Sequence, residues 1–151
     1  MKNAEIKIIR ATLDDSTAAT LLELSKEWEA EDITYGYRAN TREDLEEPCF
    51  LAKDGEEIVG YIFGHFYTEE RKQSYCRIGA RCFDVAELYV RKDHRGQGIG
   101  KRLFRTIEDA VKGEAEFITL PTATKDYRRI LRFYDEEAGM TFHSAFLFKK
   151  L

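Results

Sequence analysis

The chain has 151 residues, 43 % of them hydrophobic and 13 % aromatic, which is enough apolar material for one sizeable core, and a formal net charge of −4. The acidic balance disfavours nucleic-acid binding through bulk positive charge, and no apolar run approaches the ~20 residues that cross a bilayer. Cys49, Cys76 and Cys82 lack CxxC spacing, and His65, His94 and His143 lack HExxH-like pairing, so neither a disulfide framework nor a metal site is indicated.

The start, Met1-Lys2-Asn3, carries no apolar signal region, which reads as a cytoplasmic chain. Ile6 to Thr12 forms a first strand. Asp14, Asp15 and Ser16 then offer N-cap oxygens to a helix whose Leu21, Leu24, Ser25 and Trp28 share one face. A second, short helix is expected from Thr41, with Glu43 and Asp44 in its first turn and a stop near Pro48. Phe50 to Lys53 and Glu57 to Thr68 read as antiparallel strands joined at the hairpin signal Asp54-Gly55, with Arg71 to Ser74 as the polar exit.

A third long strand runs from Ala80 to Val90, and its apolar alternation changes phase. Phe83 and Val85 occupy odd positions, whereas Ala86, Leu88 and Val90 occupy even ones. Two readings fit this: a β-bulge that inserts one residue, or a strand buried on both faces. After a loop at Arg91 to Gly98, Ile99, Leu103, Ile107, Ala110 and Val111 recur at helical spacing up to Gly113. Glu116 to Leu120 is a strand ended by Pro121. Tyr127, Ile130, Leu131, Tyr134 and Ala138 line a helix ended by Gly139, and Thr141 to Lys149 reads as a final strand. Pro48 and Pro121 sit at element boundaries and no repeat or linker interrupts the chain, so residues 1–151 read as one domain of mixed α/β class.

The segment Arg95-Gly96-Gln97-Gly98-Ile99-Gly100 joins strand to helix, where glycines allow a tight turn that points several N–H groups at one anion. It is not a Walker A loop, because Arg102 follows Gly100-Lys101, and it fails GxGxxG, because Lys101 takes the third glycine's place. It matches Arg/Gln-x-x-Gly-x-Gly/Ala. With Ala86-Glu87-Leu88-Tyr89-Val90 before it, the amphipathic helix after it, and Phe133-Tyr134 ahead of Gly139-Met140, the chain resembles the GNAT family of N-acetyltransferases.

The resemblance implies a mixed, mostly antiparallel central sheet whose bulged middle strand splays from its neighbour, with about four helices on the faces. It implies acetyl-CoA as acyl donor, a coenzyme A site at Leu88, Tyr89, Val90, Arg95, Gly96, Gln97, Gly98, Ile99, Gly100 and Lys101, and dimerisation as a family tendency. Local charge agrees: Arg91, Lys92, Arg95, Lys101, Arg102 and Arg105 face one acid, Asp93, over this stretch. Glu87, on the strand face opposite Leu88 and Val90, stands where the family often places the carboxylate that deprotonates the amine. Tyr134 stands where the family has the tyrosine that protonates the leaving thiolate. The sequence departs from the family at Tyr127 and Ile130, where asparagine and alanine are common.

The expected reaction is therefore acetyl transfer from acetyl-CoA to a primary amine, without metal. Glu27, Glu29, Glu31, Asp32, Glu43, Asp44, Glu46 and Glu47 outnumber Arg38 and Arg42 over the acceptor-covering helices, which points to a cationic small molecule or basic peptide. Trp28, Tyr35 and Tyr37 lie among them as stacking or core aromatics. The alternative is a non-catalytic acyl-CoA-binding sensor or regulatory module, against which Glu87 and Tyr134 both count.

Overall fold

The computed structural model describes residues 5–151. Met1, Lys2 and Asn3, on which the reading of the N-terminus rests, lie outside the described residues. Five strands, β1 (Ile6–Arg10), β2 (Cys49–Asp54), β3 (Glu57–Thr68), β4 (Arg81–Val90) and β5 (Phe117–Thr119), form one sheet in chain order. The first four pair antiparallel, and β5 lies parallel to β4. This is the mixed, mostly antiparallel sheet expected from the sequence.

Because strand side chains alternate, each strand feeds two apolar layers. Phe50, Ala52, Ile62, Phe83 and Val85 pack beneath α2 (Ile99–Val111), which buries Ile99, Leu103, Phe104, Ile107 and Val111 there. Cys49, Leu51, Tyr61, Phe63 and Tyr89 pack on the other side beneath α1 (Asp15–Glu31), which contributes Ala18, Leu21 and Leu24. The Asp14 side chain caps α1 by accepting the Thr17 N–H at 2.8 Å, and Asp32 ends it in the left-handed region.

The phase change in β4 is a bulge. Phe63 pairs with Glu87 but Gly64 pairs with Val85, so Ala86 is the extra residue. Phe83, Val85, Leu88 and Val90 consequently all reach the α2 side, while Glu87 and Tyr89 turn to the α1 side. The pairing of β4 with β5 covers only Cys82–Phe117, Phe83–Ile118 and Asp84–Thr119. Beyond Asp84 the two strands separate, and that divergence is the splay expected of the middle strand.

Three expectations need correction. The short helix from Thr41 is only a 3₁₀ turn, Arg42–Asp44, because Asp44 folds back to accept the Thr41 N–H and hydroxyl and Leu45 is already extended. Among the described residues the α-helices number three, the last being α3 (Tyr127–Arg132), which continues as a π-helical turn over Phe133–Glu137. No strand forms over 141–149. Phe146 is 93 % and Phe148 72 % exposed there, because alternation fixes which face a residue would take but supplies no neighbouring strand, and β5 is three residues long. No helix among the described residues is long and apolar enough to cross a membrane.

Opposite the bulge, a Cβ on Gly64 would lie 2.1 Å from the Asp84 carbonyl oxygen and 2.9 Å from the Phe83 ring. Backbone cannot yield cheaply there, so Gly64→Ala is expected to cost about 2–4 kcal/mol and lower Tm by roughly 5–15 °C. Gly113→Ala, which meets nothing within 4 Å, should leave Tm unchanged or raise it slightly. Calorimetry on the two variants compares the outcomes.

Candidate active site

The glycine loop lies between a 3₁₀ turn, Lys92–His94, and the start of α2. Gly96 and Gly98 have φ of 80° and 81°, a region costly for other residues, and a Cβ on either would meet nothing within 4 Å. Gly98 caps α2 without a side chain, and the first intrahelical bond runs from Arg102 N to Gly98 O at 3.1 Å. The N–H groups of Ile99, Gly100 and Lys101 thus stand at the positive end of the helix, with no intrahelical acceptor.

The basic cluster divides once the fold is formed. The Arg95 guanidinium grips Glu31 of α1 through Nη1–Oε1 (2.8 Å) and Nη2–Oε2 (2.7 Å), donates from Nε to the Val90 carbonyl at 2.9 Å, and lies 5.5 Å from the Tyr89 ring centroid. Arg91 pairs with Glu27 and Glu57, Arg102 donates to the Ile6 carbonyl, and Arg105 donates to the Glu137 carbonyl. The side chains of Lys92 and Lys101 carry no hydrogen bond or contact ion pair among the described residues. Acids neutralise only Arg91 and Arg95 of the six, while Arg102 and Arg105 keep their charge against neutral carbonyls and the two lysine ammonium groups are the least committed.

Across the sheet, Glu87 is half-buried on the α1 side of the bulged strand. Its Oε1 accepts three hydrogen bonds: from Tyr61 Oη at 2.8 Å, Asn40 Nδ2 at 3.0 Å and Tyr37 Oη at 3.2 Å. Burial raises its pKa above the ordinary 4.5, and the three donors pull against that shift. A cavity of about 420 Å³ opens onto it, lined also by Arg38, Thr41, Asp44, Phe63 and Ala86. Tyr134 sits in the π-helical turn against Phe104 and Phe133, with ring centroids 6.2 and 5.0 Å away. Burial pushes its hydroxyl up to about 12, and no protein group among the described residues bonds it.

The β4 bulge accounts for where these groups sit. Leu88 and Val90 face the α2 layer, Tyr89 is buried against α1 and donates to Glu31, and the β4 edge from Val85 onward has no β5 partner. Trp28 stacks on Tyr37 at 4.1 Å and on Tyr89 at 5.3 Å and donates to Thr34, so it backs Tyr37 without lining the cavity itself. Tyr127 is half-exposed at the start of α3 beneath the Arg128 guanidinium. Sequence reasoning missed Asn40 and Tyr61 as partners of Glu87, because they lie 47 and 26 residues away and no local pattern marks them.

The acidic excess of the N-terminal third is mostly consumed within the chain. Glu27 pairs with Arg91, Glu31 with Arg95, Asp32 with Lys125 and Glu46 with His65, while Glu47 accepts the Leu13 N–H. Of the eight acids named from the sequence, Asp44 lines the cavity. No group of three His, Cys, Asp or Glu placed to hold a metal occurs among the described residues.

Residues 13–140 match the family model described as the acetyltransferase (GNAT) family. The chain belongs to the GNAT acetyltransferase family. Among curated proteins none matches the sequence. Solved structures share the fold at low identity. A Pyrococcus furiosus protein superposes with a TM-score of 0.71 at 17 % identity, covering 97 % of this chain and 100 % of its own. An aminoglycoside acetyltransferase, meta-AAC0020, from an uncultured soil metagenomic sample gives 0.67 at 20 %, with 100 % and 99 % covered. The ribosomal-protein-alanine N-acetyltransferase of Brucella melitensis biovar Abortus 2308 gives 0.65 at 21 %, with 96 % and 99 % covered. A GNAT acetyltransferase domain thus has its glycine loop and its buried carboxylate on opposite flanks of one bulged strand.

The Glu31–Arg95 pair has a pH signature. Burial opposes ionisation of Glu31, but hydrogen bonds from Arg95 and Tyr89 and the charges of Arg95 and Lys92 outweigh it and hold its pKa below 4.5. A depressed folded-state pKa contributes stability above the unfolded value that is lost as pH falls through the folded one. Glu31→Gln should therefore cost about 1–3 kcal/mol at pH 7, and the gap to wild type should shrink steadily below about pH 4.5. Denaturant melts across pH 3–7 measure it.

Proposed function

We propose that this acetyltransferase moves an acetyl group from acetyl-CoA directly to a primary amine on a cationic small molecule or basic peptide, with Glu87 as general base and Tyr134 as general acid. One observation carries the reading: on the bulged strand, at a cavity of substrate size, stands a carboxylate with one oxygen held by three donors. Acetyl-CoA supplies the thioester whose carbonyl carbon the amine attacks. Gly96, Gln97, Gly98 and the N–H groups of Ile99, Gly100 and Lys101 would cradle its pyrophosphate, with Lys92 and Lys101 adding charge. Leu88, Tyr89 and Val90 offer the unpaired β4 edge to the pantetheine arm. Arg95 contributes through the loop backbone, since its guanidinium is committed to Glu31.

Glu87 takes a proton from the incoming ammonium, the freed nitrogen bonds the acyl carbon and sheds its extra proton to water in the open cavity, and the C–S bond breaks as the carbonyl re-forms. Tyr134 gives its proton to the departing sulfur. Both pKa shifts suit the roles. A raised carboxylate is a stronger base, and a tyrosine near 12 remains protonated through neutral pH. Asp44 and Glu87 outnumber Arg38 in the cavity lining, which favours an ammonium group near the base. Proteins of this fold bear names specifying an aminoglycoside and a ribosomal-protein alanine as acceptors, and amines of both kinds belong in a first screen.

The cofactor half of the reading is tested by heat. Coenzyme A binding only the folded state should raise Tm, by about 2.7 kcal/mol of stabilisation at a hundred times Kd, and Gly98→Glu should abolish that shift. A folded Gly98→Glu protein with an unchanged shift would remove the loop from the site.

The catalytic half is tested by a screen that follows thiol release from acetyl-CoA across amine acceptors. With the best acceptor, Glu87→Gln and Tyr134→Phe should each lower kcat by roughly 10²- to 10⁴-fold with acetyl-CoA affinity little changed. Because the base works deprotonated, wild-type activity should fall on the acid side through a limb above pH 4.5, and Glu87→Gln should erase that limb. Retained kcat in both variants defeats the assignment, and coenzyme A binding without turnover of any acceptor favours a binding module.

A further inference from the structure

Ser25 is fully buried, and it is the one polar residue in the buried class among the described residues. It lies on α1 beside Leu21 and Leu24, where alanine would favour the helix and would desolvate no hydroxyl. Its hydroxyl is used twice. Oγ donates to the Leu22 carbonyl at 2.8 Å and accepts the backbone N–H of Asn40 at 2.9 Å, fifteen residues away in the loop over the cavity. That loop supplies two of the three donors on Glu87, from Tyr37 and Asn40. The Tyr37 ring is in turn fixed by its stack on Trp28, one helical turn after Ser25.

We propose that Ser25 is a positioning residue for acyl transfer, anchoring through Asn40 the loop that fixes one oxygen of Glu87 and leaves the other to the incoming amine. All three donors converge on Oε1, and no donor among the described residues reaches Oε2, which is the oxygen that receives the proton. The loop carries Arg38 and, past it, Asp44. Tyr61 comes from β3, Tyr37 and Asn40 from the loop itself, and these are the polar groups facing the carboxylate. α1 therefore sets the base's geometry without touching it.

The inference rests on Glu87 being the base, and its sign is that of donors displaced from a carboxylate that stays buried, since burial acts the opposite way. Each donor stabilises the carboxylate form, so releasing the loop makes Glu87 protonate at higher pH and removes activity from the acid side first. A purely structural serine would lower stability and leave the midpoint where it was.

The test combines a ¹³C NMR titration of the Glu87 carboxyl, assigned by its loss in Glu87→Gln, with kcat/KM against pH for the best acceptor of the screen. In Ser25→Ala and in Asn40→Ala the carboxyl should titrate at higher pH than in wild type. The acid limb should follow it, with kcat/KM below the midpoint down roughly tenfold and the alkaline plateau much less affected. Ser25→Thr, which retains the hydroxyl, should titrate as wild type. Asn40→Ala, which deletes a direct donor and keeps the Ser25 bond, serves as the reference for a lost donor. Should Ser25→Ala not fold, Ser25→Cys, which fills the volume with a weaker acceptor, answers the same question. An unmoved midpoint in the folded Ser25 variant overturns the positioning role while the base assignment stands. Full turnover by Glu87→Gln overturns both.

Discussion

The single inserted residue in β4, Ala86, governs most of what surrounds it. A regular strand would put Glu87 on the side of Val85 and Phe83, inside the apolar layer under α2, where an ionised carboxylate has no compensating partner. The bulge returns the register, so Leu88 and Val90 complete that layer and Glu87 faces Tyr61 and the loop. Gly64 is the other half of the device, because only a residue without a side chain lets the Asp84 carbonyl approach so closely. Where β4 bends, β5 ceases to pair with it, and the opening between the strands follows from the same defect.

The second organising feature is the ion pair between Glu31 and Arg95. It joins the C-terminal end of α1 to the first residue of the glycine loop, 64 positions later. Tyr89 of the bulged strand shares the same carboxylate, so α1, strand and loop meet at one group. With Glu31 largely shielded from solvent, such a bidentate pair is worth more than the exposed pairs on α1 or α2, and it ties the end of α1 to the glycine loop.

Glu87 balances opposing demands. Burial makes the carboxylate more basic, and hydrogen bonds to the charged form make it less so. Concentrating all three donors on one oxygen satisfies the buried charge while keeping the second oxygen accessible. The solved structures share the fold at 17–21 % identity, a level that conveys architecture without side-chain detail.

By itself the sequence determined what depends on short-range spacing. The α2 stripe, the Asp54-Gly55 hairpin, the Asp14 cap and the glycine loop each need only neighbours within a turn or two of chain, and the phase change in β4 is visible because strand periodicity is exact over a few residues. Family membership was legible for the same reason, since the loop and its flanking elements are local. Tertiary structure decided everything that joins distant positions. It chose the bulge over a doubly buried strand, spent Arg95 on Glu31 instead of leaving it to an anion, and brought Tyr37, Asn40 and Tyr61 to Glu87. It also left 141–149 unpaired although the segment has the pattern of a strand. Periodicity states which way a side chain faces, whereas partners across a sheet or between layers are set by how the whole chain packs, and no window of sequence contains that information.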